Sequence, residues 1–258
     1  VGLTGTQSIV IDRTAPGVTF ATPTSANNTN TTRNYFEVNA TYTELNPAVC
    51  LVQITNASGM VNYTMTKEGH NSTYNACWFN ATAQSDSEIN YTVYASDAAG
   101  NAGATGTRTI TLDTTVPSSV AQNTPADNAN QSSSAVEFNY TVIDNIAHYS
   151  LNCTLYLNNT QNASNLVSRS GGMQNISESL PTAQYTWSIK CLDALGNSNQ
   201  SINRTITIDS TAPGVIFAAP TSANYTNATT NYIQINVTYT DQNPATCSVE
   251  ITNASGTV

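Results

Sequence analysis

Hydrophobic and polar residues alternate in three segments of this 258-residue chain, at residues 36–43, 136–142 and 233–240. Because successive side chains of a β-strand point to opposite faces, the alternation predicts strands with one packed face and one solvated face. Antiparallel sandwiches are built from such strands. The predicted inward residues are Phe36, Val38, Ala40, Tyr42, Val136, Phe138, Tyr140, Val142, Ile233, Ile235, Val237 and Tyr239.

The chain also contains long internal repeats. Residues 12–61 align without a gap on residues 209–258 and are identical at 34 of the 50 positions. A boundary sequence occurs three times, as SIVIDRTAP, TITLDTTVP and TITIDSTAP. Two neighbouring repeats end alike, in YTVYASDAAGN and YTWSIKCLDALGN. Self-similarity of this kind is typical of tandem domain arrays.

These repeats divide the chain into four predicted segments. Residues 12–112 form module A, and residues 113–208 form a different module B. Residues 209–258 form the first half of a second module A, and residues 1–11 correspond to the terminal strand of a preceding module. We therefore expect this sequence to be a window on a longer array of alternating A and B modules.

Modules of about 100 residues with short alternating strands predict an all-β fold of tandem immunoglobulin-like antiparallel β-sandwiches. The boundary motif ITIDSTAP, the closing strand YTVYASDAAGN and the strand LNCTLYLN resemble the tandem Ig-like domains of archaeal and bacterial cell-surface proteins, especially archaeal surface glycoproteins. The resemblance covers nearly the whole chain. It implies an archaeal protein of the cell surface in which such domains serve mostly as spacers.

Five cysteines are distributed over the predicted modules. Four of them allow three pairings, and pairing within modules is favoured: Cys50 with Cys77, and Cys153 with Cys191. The alternative is a set of reduced, buried cysteines. Bridges indicate an oxidising, extracellular setting.

The two predicted bridges should differ. Cys153 and Cys191 fall in segments that suit a bridge between the two sheets, whereas Ala95 occupies the position in module A that matches Cys191. Cys247 is the copy of Cys50 in the third segment, and we expect its partner to lie outside this chain.

The composition is polar but hardly ionic. Only 9% of the residues are charged, and the net charge is −9 with 7 Lys and Arg together. So few basic residues make nucleic-acid binding a poor prediction. No apolar stretch reaches the length of a membrane-spanning helix. With 39% hydrophobic residues, however, the chain has enough apolar surface for small β cores.

Asparagine and hydroxyl residues are arranged as N-glycosylation acceptor sites (Asn-x-Ser/Thr, x not Pro), at more than twice the number expected from composition. Three of them, at Asn39, Asn139 and Asn236, fall on predicted outward strand faces. We therefore expect dense N-linked glycosylation; the alternative is that these are simply turn and solvated-face residues. The acceptor asparagines are Asn27, Asn30, Asn39, Asn56, Asn62, Asn71, Asn80, Asn90, Asn130, Asn139, Asn152, Asn158, Asn162, Asn175, Asn199, Asn203, Asn224, Asn227, Asn236 and Asn253.

Sequence motifs for catalysis are missing. The chain contains no HExxH, GxSxG, P-loop, dinucleotide or CxxC pattern, and His70 and His148 lie in different modules. We expect no enzyme activity, no catalytic residue and no cofactor besides glycans.

Recurring aspartates suggest one weaker site. They occur at the module boundaries and before the AGN and LGN corners, where they could bind Ca²⁺ or simply cap turns. We expect no metal site, with Ca²⁺ at these junctions as the alternative. The residues are Asp12, Asp97, Asp113, Asp193 and Asp209.

The sequence thus predicts a heavily glycosylated repeat segment of an extracellular filament, sheath or surface stalk. Its expected partners are further copies of itself in a continuous array, with no nucleic acid and no membrane span in this segment. Two alternatives stay open: an adhesin that binds a host cell or a polysaccharide, and spacer domains of a larger secreted enzyme.

Overall fold

A computed structural model describes residues 5, 7–9, 11–44, 47–69, 75–146, 150–167, 171–253 and 256–257. Within these residues the secondary structure consists of 23 β-strands and no helix. The strands form two complete sandwiches and a separate C-terminal segment.

The first sandwich contains ten strands in two sheets. One sheet has the order β1-β3-β7-β6, and the other has the order β2-β10-β8-β4-β5 with β9 paired to β8. The strands are β1 (Gly17–Ala21), β2 (Thr29–Thr31), β3 (Phe36–Thr43), β4 (Pro47–Asn56), β5 (Gly59–Thr64), β6 (Thr66–Glu68), β7 (Asn75–Ala81), β8 (Ser87–Asp97), β9 (Ala102–Ala104) and β10 (Arg108–Leu112).

Alternation along β3 places its apolar residues in the core. All four predicted inward side chains of this strand are buried, and the residues between them are exposed or half-buried. Tyr91 of β8 belongs to the same core, where its ring packs edge-on against Phe20 and tilted against Phe36, with ring centroids 5.6 and 5.2 Å away. Burial of a large apolar side chain stabilises a fold by about 1.5–3 kcal/mol.

The second sandwich repeats this plan with nine strands. Its sheets have the orders β11-β13-β16 and β12-β19-β17-β14-β15, with β18 paired to β17. The strands are β11 (Ser119–Thr124), β12 (Ala129–Gln131), β13 (Ala135–Ile143), β14 (Leu151–Leu157), β15 (Thr160–Val167), β16 (Met173–Ser179), β17 (Ala183–Leu192), β18 (Ser198–Gln200) and β19 (Arg204–Ile208).

The core of the second sandwich is built on β13 and β17. The four predicted inward residues of β13 are buried, and Trp187 of β17 packs edge-on against Phe138 with ring centroids 5.0 Å apart. A two-residue turn joins β14 to β15. Asn158 and Asn159 both adopt a positive φ there, a backbone conformation that asparagine tolerates and that tight hairpins require.

The strand order identifies both sandwiches as immunoglobulin-like. In the first, β1-β3-β7-β6 corresponds to strands A-B-E-D of an Ig domain, and β4-β8-β10 corresponds to C-F-G. In the second, β11-β13-β16 corresponds to A-B-E and β14-β17-β19 to C-F-G. The predicted all-β, tandem Ig-like fold is confirmed by this topology.

The C-terminal segment, residues 209–258, has no packed core among its described residues. Its strands β20 (Gly214–Ala218), β21 (Asn236–Thr240), β22 (Thr252–Asn253) and β23 (Gly256–Thr257) form two separate pairs. The inward burial predicted for Ile233, Ile235, Val237 and Tyr239 is wrong here. Ile233 and Ile235 precede β21, and Tyr239 is 53% exposed, because no second sheet covers this face.

The described N-terminal residues do not pair with another strand, and their assignment to the terminal strand of a preceding module stays a prediction. The described part of residues 1–11, namely residues 5, 7–9 and 11, contains no strand, and Ile9 and Ile11 are exposed. A strand needs a neighbour to accept its hydrogen bonds, and none lies beside these residues in the described chain.

Candidate functional site: acceptor surface and module junction

A disulfide joins the two sheets of the first sandwich. It links Cys50 of β4 to Cys77 of β7, and the Cα atoms lie 6.5 Å apart. Ala40 is the cross-strand neighbour of Cys77 on β3. Its small side chain leaves room between the sheets for the bridge.

The disulfide of the second sandwich lies within one sheet. Cys153 of β14 and Cys191 of β17 are direct cross-strand neighbours and are bonded to each other. The expectation of a bridge between sheets for this pair is therefore wrong. Tyr140, which is the counterpart of Ala40, is fully buried and occupies the space between the sheets.

The contrast between the bridges was partly visible in the sequence. Ala95 is the cross-strand neighbour of Cys50, just as Cys191 is the neighbour of Cys153. Cys50 therefore has no partner within its own sheet and bonds across the core. Cys247 of the C-terminal segment is a free, exposed thiol.

The predicted acceptor asparagines lie on the outside of the molecule. Asn71 falls outside the described residues, and Asn253 belongs to β22. The other eighteen are all exposed or half-buried. By contrast, Asn75, which is not in an acceptor motif, is buried and donates its side-chain amide to the carbonyl of Glu44 at 2.7 Å. The buried, structural Asn75 thus lies outside the acceptor motifs.

Acceptors on the strands have the predicted outward orientation. Asn39 and Asn139 are half-buried between fully buried neighbours on β3 and β13. Asn139 pairs across the sheet with Asn175 of β16, itself an acceptor. Side chains at directly opposed positions have Cβ atoms about 5 Å apart. Two predicted glycan sites therefore share one patch of the second sandwich.

One acceptor is engaged at the module boundary. The side-chain amide of Asn199 donates to the carbonyl of Pro117 at 2.8 Å, in a half-buried position. The matching position in the first sandwich is Gly103, whose Cα faces the carbonyl of Pro16 so closely that a Cβ would clash. The boundary peptide is held tightly against the sandwich at both places.

An aspartate and an asparagine four residues apart bind the boundary peptide to each sandwich. In the first, the amide of Asn101 donates to Asp97 Oδ2 at 2.7 Å and to the carbonyl of Asp12 at 3.2 Å. In the second, Asn197 donates to Asp193 Oδ2 at 2.7 Å and to the carbonyl of Asp113 at 3.1 Å. We call this D-x-x-x-N pair the boundary clip, because it fastens the boundary peptide to the turn at the end of each sandwich.

Asp86 of the first sandwich contacts the boundary peptide and the second sandwich. Its carboxylate accepts hydrogen bonds from Thr114 Oγ1 (3.0 Å), Thr115 Oγ1 (2.6 Å) and Asn145 Nδ2 (3.1 Å). Burial alone would raise the pKa of Asp86, but the hydrogen bonds from Thr115, Thr114 and Asn145 together lower it. The junction between the sandwiches is thus held by a charged acceptor.

Two groups of carboxylates lie at these boundaries. In each group one oxygen from every member lies within 4.8 Å of the others, a spacing that could hold a metal ion. The first group is Asp12, Glu44 and Asp97, and the second is Asp113, Asp144 and Asp193. Only Asp97 is buried in the first group, whereas all three members of the second are buried.

Glu44 and Asp144 were not singled out by sequence reasoning. Both directly follow the alternating strand of their module, β3 and β13, and Asp241 stands at the same place after β21. This shared position was the available signal. Asp209, the third boundary aspartate, accepts a hydrogen bond from Asn243 at 3.1 Å and belongs to neither group.

The environment of Asp113 disfavours its charged form. Burial is the largest cause: together with the carboxylates of Asp144 and Asp193, and against the N–H of Thr115, it raises the pKa of this carboxyl to about 6. Burial likewise raises the pKa of Asp144. In the first group, hydrogen bonds from Asn101, Gly100 and Ala99 outweigh burial and lower the pKa of Asp97.

His70 and His148 lie outside the described residues. The part of the chain that the structure describes includes no helix long and apolar enough to cross a membrane.

No protein-family model matches the sequence, and no curated protein matches it either. Similar solved structures include the fibronectin(III)-like modules of Clostridium thermocellum CbhA, with a TM-score of 0.35, 13% identity, and coverage of 75% of this chain and 94% of that one. The ICAM-5 D1–D4 ectodomain fragment has a TM-score of 0.48 at 13% identity, with 80% of this chain and 54% of that one covered. The FN1–FN3 domains of chicken CNTN1 have a TM-score of 0.33 at 11% identity, with 79% of this chain and 71% of that one covered. The fold assignment rests on the strand order described above.

Proposed function

We propose that this chain is a structural, N-glycosylated repeat segment of an extracellular filament, sheath or surface stalk, in which the Ig-like sandwiches act as spacers. The observation that carries the proposal is the junction between the two sandwiches. The six residues from Asp113 to Ser118 separate β10 from β11. Asp86 of the first sandwich and Asn197 of the second hold this peptide from both sides, and Asn145 of the second sandwich donates to Asp86.

A short peptide fixed at both ends does not behave as a flexible linker. Pro117 further restricts its backbone and is buried. Successive sandwiches are then kept in a defined orientation, and repetition of the unit produces a semi-rigid rod. A rod suits a mechanical role better than a role in which domains close around a ligand.

The acceptor surface fits the same role. Eighteen predicted acceptors are exposed or half-buried and are spread over both sandwiches and the C-terminal segment. Sugar in place of Lys and Glu would keep a rod with 9% charged residues soluble. Such a coat does not titrate and hinders proteases.

The cellular setting that we propose is the exterior of an archaeal cell. Each sandwich contains one disulfide, and disulfides persist in oxidising compartments. Dense N-glycosylation sites and the likeness to archaeal surface glycoproteins support the archaeal assignment. Further copies of the same chain are the proposed partners, with no catalytic role in this segment.

Negative-stain microscopy of the native material tests the proposal, together with glycopeptide mass spectrometry. We expect fibres or stalks with a regular repeat, and sugar on most of the eighteen exposed or half-buried acceptors. Separate particles that bind a host cell or a polysaccharide through loops of the sandwiches would support the adhesin instead. Beads attached to an active catalytic head would indicate spacer domains of an enzyme, and either of these results would overturn the filament.

A further inference from the structure

Three carboxylates of different chain segments meet at the start of the second sandwich. Asp113 opens the boundary peptide, Asp144 follows β13, and Asp193 follows β17. One oxygen of each lies within 4.8 Å of the other two, and all three side chains are buried. Like charges at this distance repel strongly in a medium of low polarity.

One carboxylate oxygen of Asp113 has no hydrogen-bonding partner. Its side chain is 0% exposed, Oδ1 accepts the N–H of Thr115 at 3.2 Å, and the buried Oδ2 accepts no hydrogen bond. A buried charged oxygen without a partner is costly, and buried charges in proteins are paired or coordinate metals. The unused oxygen therefore points to a ligand.

The donor set defines the class of that ligand. All three side chains offer carboxylate oxygens, and no histidine or cysteine belongs to the group among the residues that the structure describes. Oxygen-only sets suit hard cations such as Ca²⁺, whereas zinc and copper sites use imidazole or thiolate. A cation also neutralises the negative charge that the three aspartates concentrate in the core.

We propose that Asp113, Asp144 and Asp193 form a Ca²⁺ site that fastens the boundary peptide to the second sandwich. The ion would join the boundary peptide to the ends of β13 and β17. Asn145, next to Asp144, donates to Asp86 of the first sandwich, so the ion also stiffens the junction between the sandwiches. The site stands independently of the filament proposal, because its ligands all belong to one sandwich.

The group in the first sandwich does not support the same inference. Asp12 and Glu44 are half-exposed, and among the described residues no carboxylate oxygen of this group is buried without a hydrogen-bonding partner. Water can relieve the repulsion there. The proposal is therefore restricted to the second sandwich.

The site is tested by titrating the EDTA-stripped full chain with CaCl2. The readouts are the heat of binding in calorimetry and the melting temperature of the second sandwich. We expect binding with a Kd of about 0.1–1 mM, the range of extracellular Ca²⁺ modules, and a higher melting temperature with Ca²⁺. Asp144→Asn should weaken binding at least tenfold. Glu137→Gln removes an exposed carboxylate of β13 and should bind as the unmodified chain does.

The variant Asp113→Asn distinguishes a metal-binding role of Asp113 from a purely structural role. It keeps an acceptor for Thr115 but removes the buried charge. We expect this variant to be at least as stable as the unmodified chain in EDTA and to lose the response to Ca²⁺. An unmodified chain whose melting temperature and heat signal ignore 10 mM CaCl2 would overturn the site, as would an Asp113→Asn variant that responds normally.

Discussion

The side-chain amide of Asn197 donates to the main-chain carbonyl of Asp113, 84 residues earlier in the chain, at 3.1 Å. The same amide donates to Asp193 at 2.7 Å. Asn101 makes the equivalent pair of bonds in the first sandwich. The five-residue turn from the aspartate to the asparagine thus fixes the point at which each sandwich begins, and this explains why the D-x-x-x-N spacing recurs.

Loss of this clip should destabilise the second sandwich. Asn197→Ala leaves two acceptors without their donor, and removal of one partner of such a bond costs about 1–3 kcal/mol. The free energy of unfolding is measured by urea denaturation from the fluorescence of Trp187, with Trp78 replaced by Phe so that a single Trp remains. Asn123→Ala, an exposed substitution in β11, is the control and should change little. Equal losses in both variants would contradict the assigned role.

Asp86→Ala should loosen the junction without unfolding either sandwich. The variant removes the acceptor of Thr114, Thr115 and Asn145, and these bonds connect the sandwiches. In X-ray scattering of the full chain we expect a broader distribution of end-to-end distances. Ser85→Ala, one residue away, should scatter like the unmodified chain. An unchanged distribution for Asp86→Ala would show that other contacts hold the junction.

The disulfide that joins the two sheets of the first sandwich should be convertible into a disulfide within one sheet, like that of the second sandwich. Cys50→Ala with Cys77→Ala should lower the free energy of unfolding of the first sandwich by about 2–4 kcal/mol and spare the second. Because Ala95 faces Cys50 across β4 and β8, Cys77→Ala with Ala95→Cys should form a new bridge within the sheet. Peptide mapping without reduction identifies the bonds. Cys247→Ser is the control and should leave the stability of both sandwiches unchanged. In the unmodified chain, a bond between Cys77 and any cysteine other than Cys50 would refute the bridge between the sheets.

Asp127 should make the second sandwich sensitive to acid. Its Oδ1 accepts the N–H of Thr205 at 2.8 Å, and this bond, with the Thr205 hydroxyl, lowers the pKa of Asp127. A lowered folded pKa means stabilisation that is complete above the unfolded pKa of about 3.9 and is lost as the pH falls through the folded value. The melting-temperature difference between the unmodified chain and Asp127→Asn should therefore be constant above about pH 5 and change below about pH 4.

The first sandwich supplies the matched control for this experiment. Asn27 accepts the N–H of Thr109 at 2.7 Å in the corresponding position, so an amide already performs the same structural task. In unglycosylated protein, Asn27→Asp should introduce an acid sensitivity that the first sandwich lacks at this position. Identical pH profiles for Asp127→Asn and the unmodified chain would exclude the role of this carboxylate.

In most molecules we expect a glycan on either Asn139 or Asn175, but not on both. The two residues face each other across β13 and β16, and glycans on both would collide. Asn175→Gln should raise the occupancy of Asn139 in glycopeptide mass spectrometry, whereas Asn158→Gln should not. We also expect low occupancy at Asn199, since its amide is bonded to Pro117. Full occupancy at both Asn139 and Asn175 would disprove the competition.

Much of the fold follows from local sequence. The period-two alternation in β3 and β13 determines which side chains are buried, because a strand directs neighbouring side chains to opposite faces. The same rule placed the acceptors Asn39 and Asn139 on the outside. It failed in the C-terminal segment, where Tyr239 is exposed, because burial also requires an opposing sheet.

The sequence by itself determined the strand faces, the repeated boundary and the positions of the acceptors, all of which depend on neighbours within a few residues. Only the tertiary structure decided that Cys153 and Cys191 bond within one sheet while Cys50 crosses the core to Cys77. It also brought Asp144 to Asp113 and Asp193. Strand register and sheet packing set such distances between remote residues, and no local pattern encodes them.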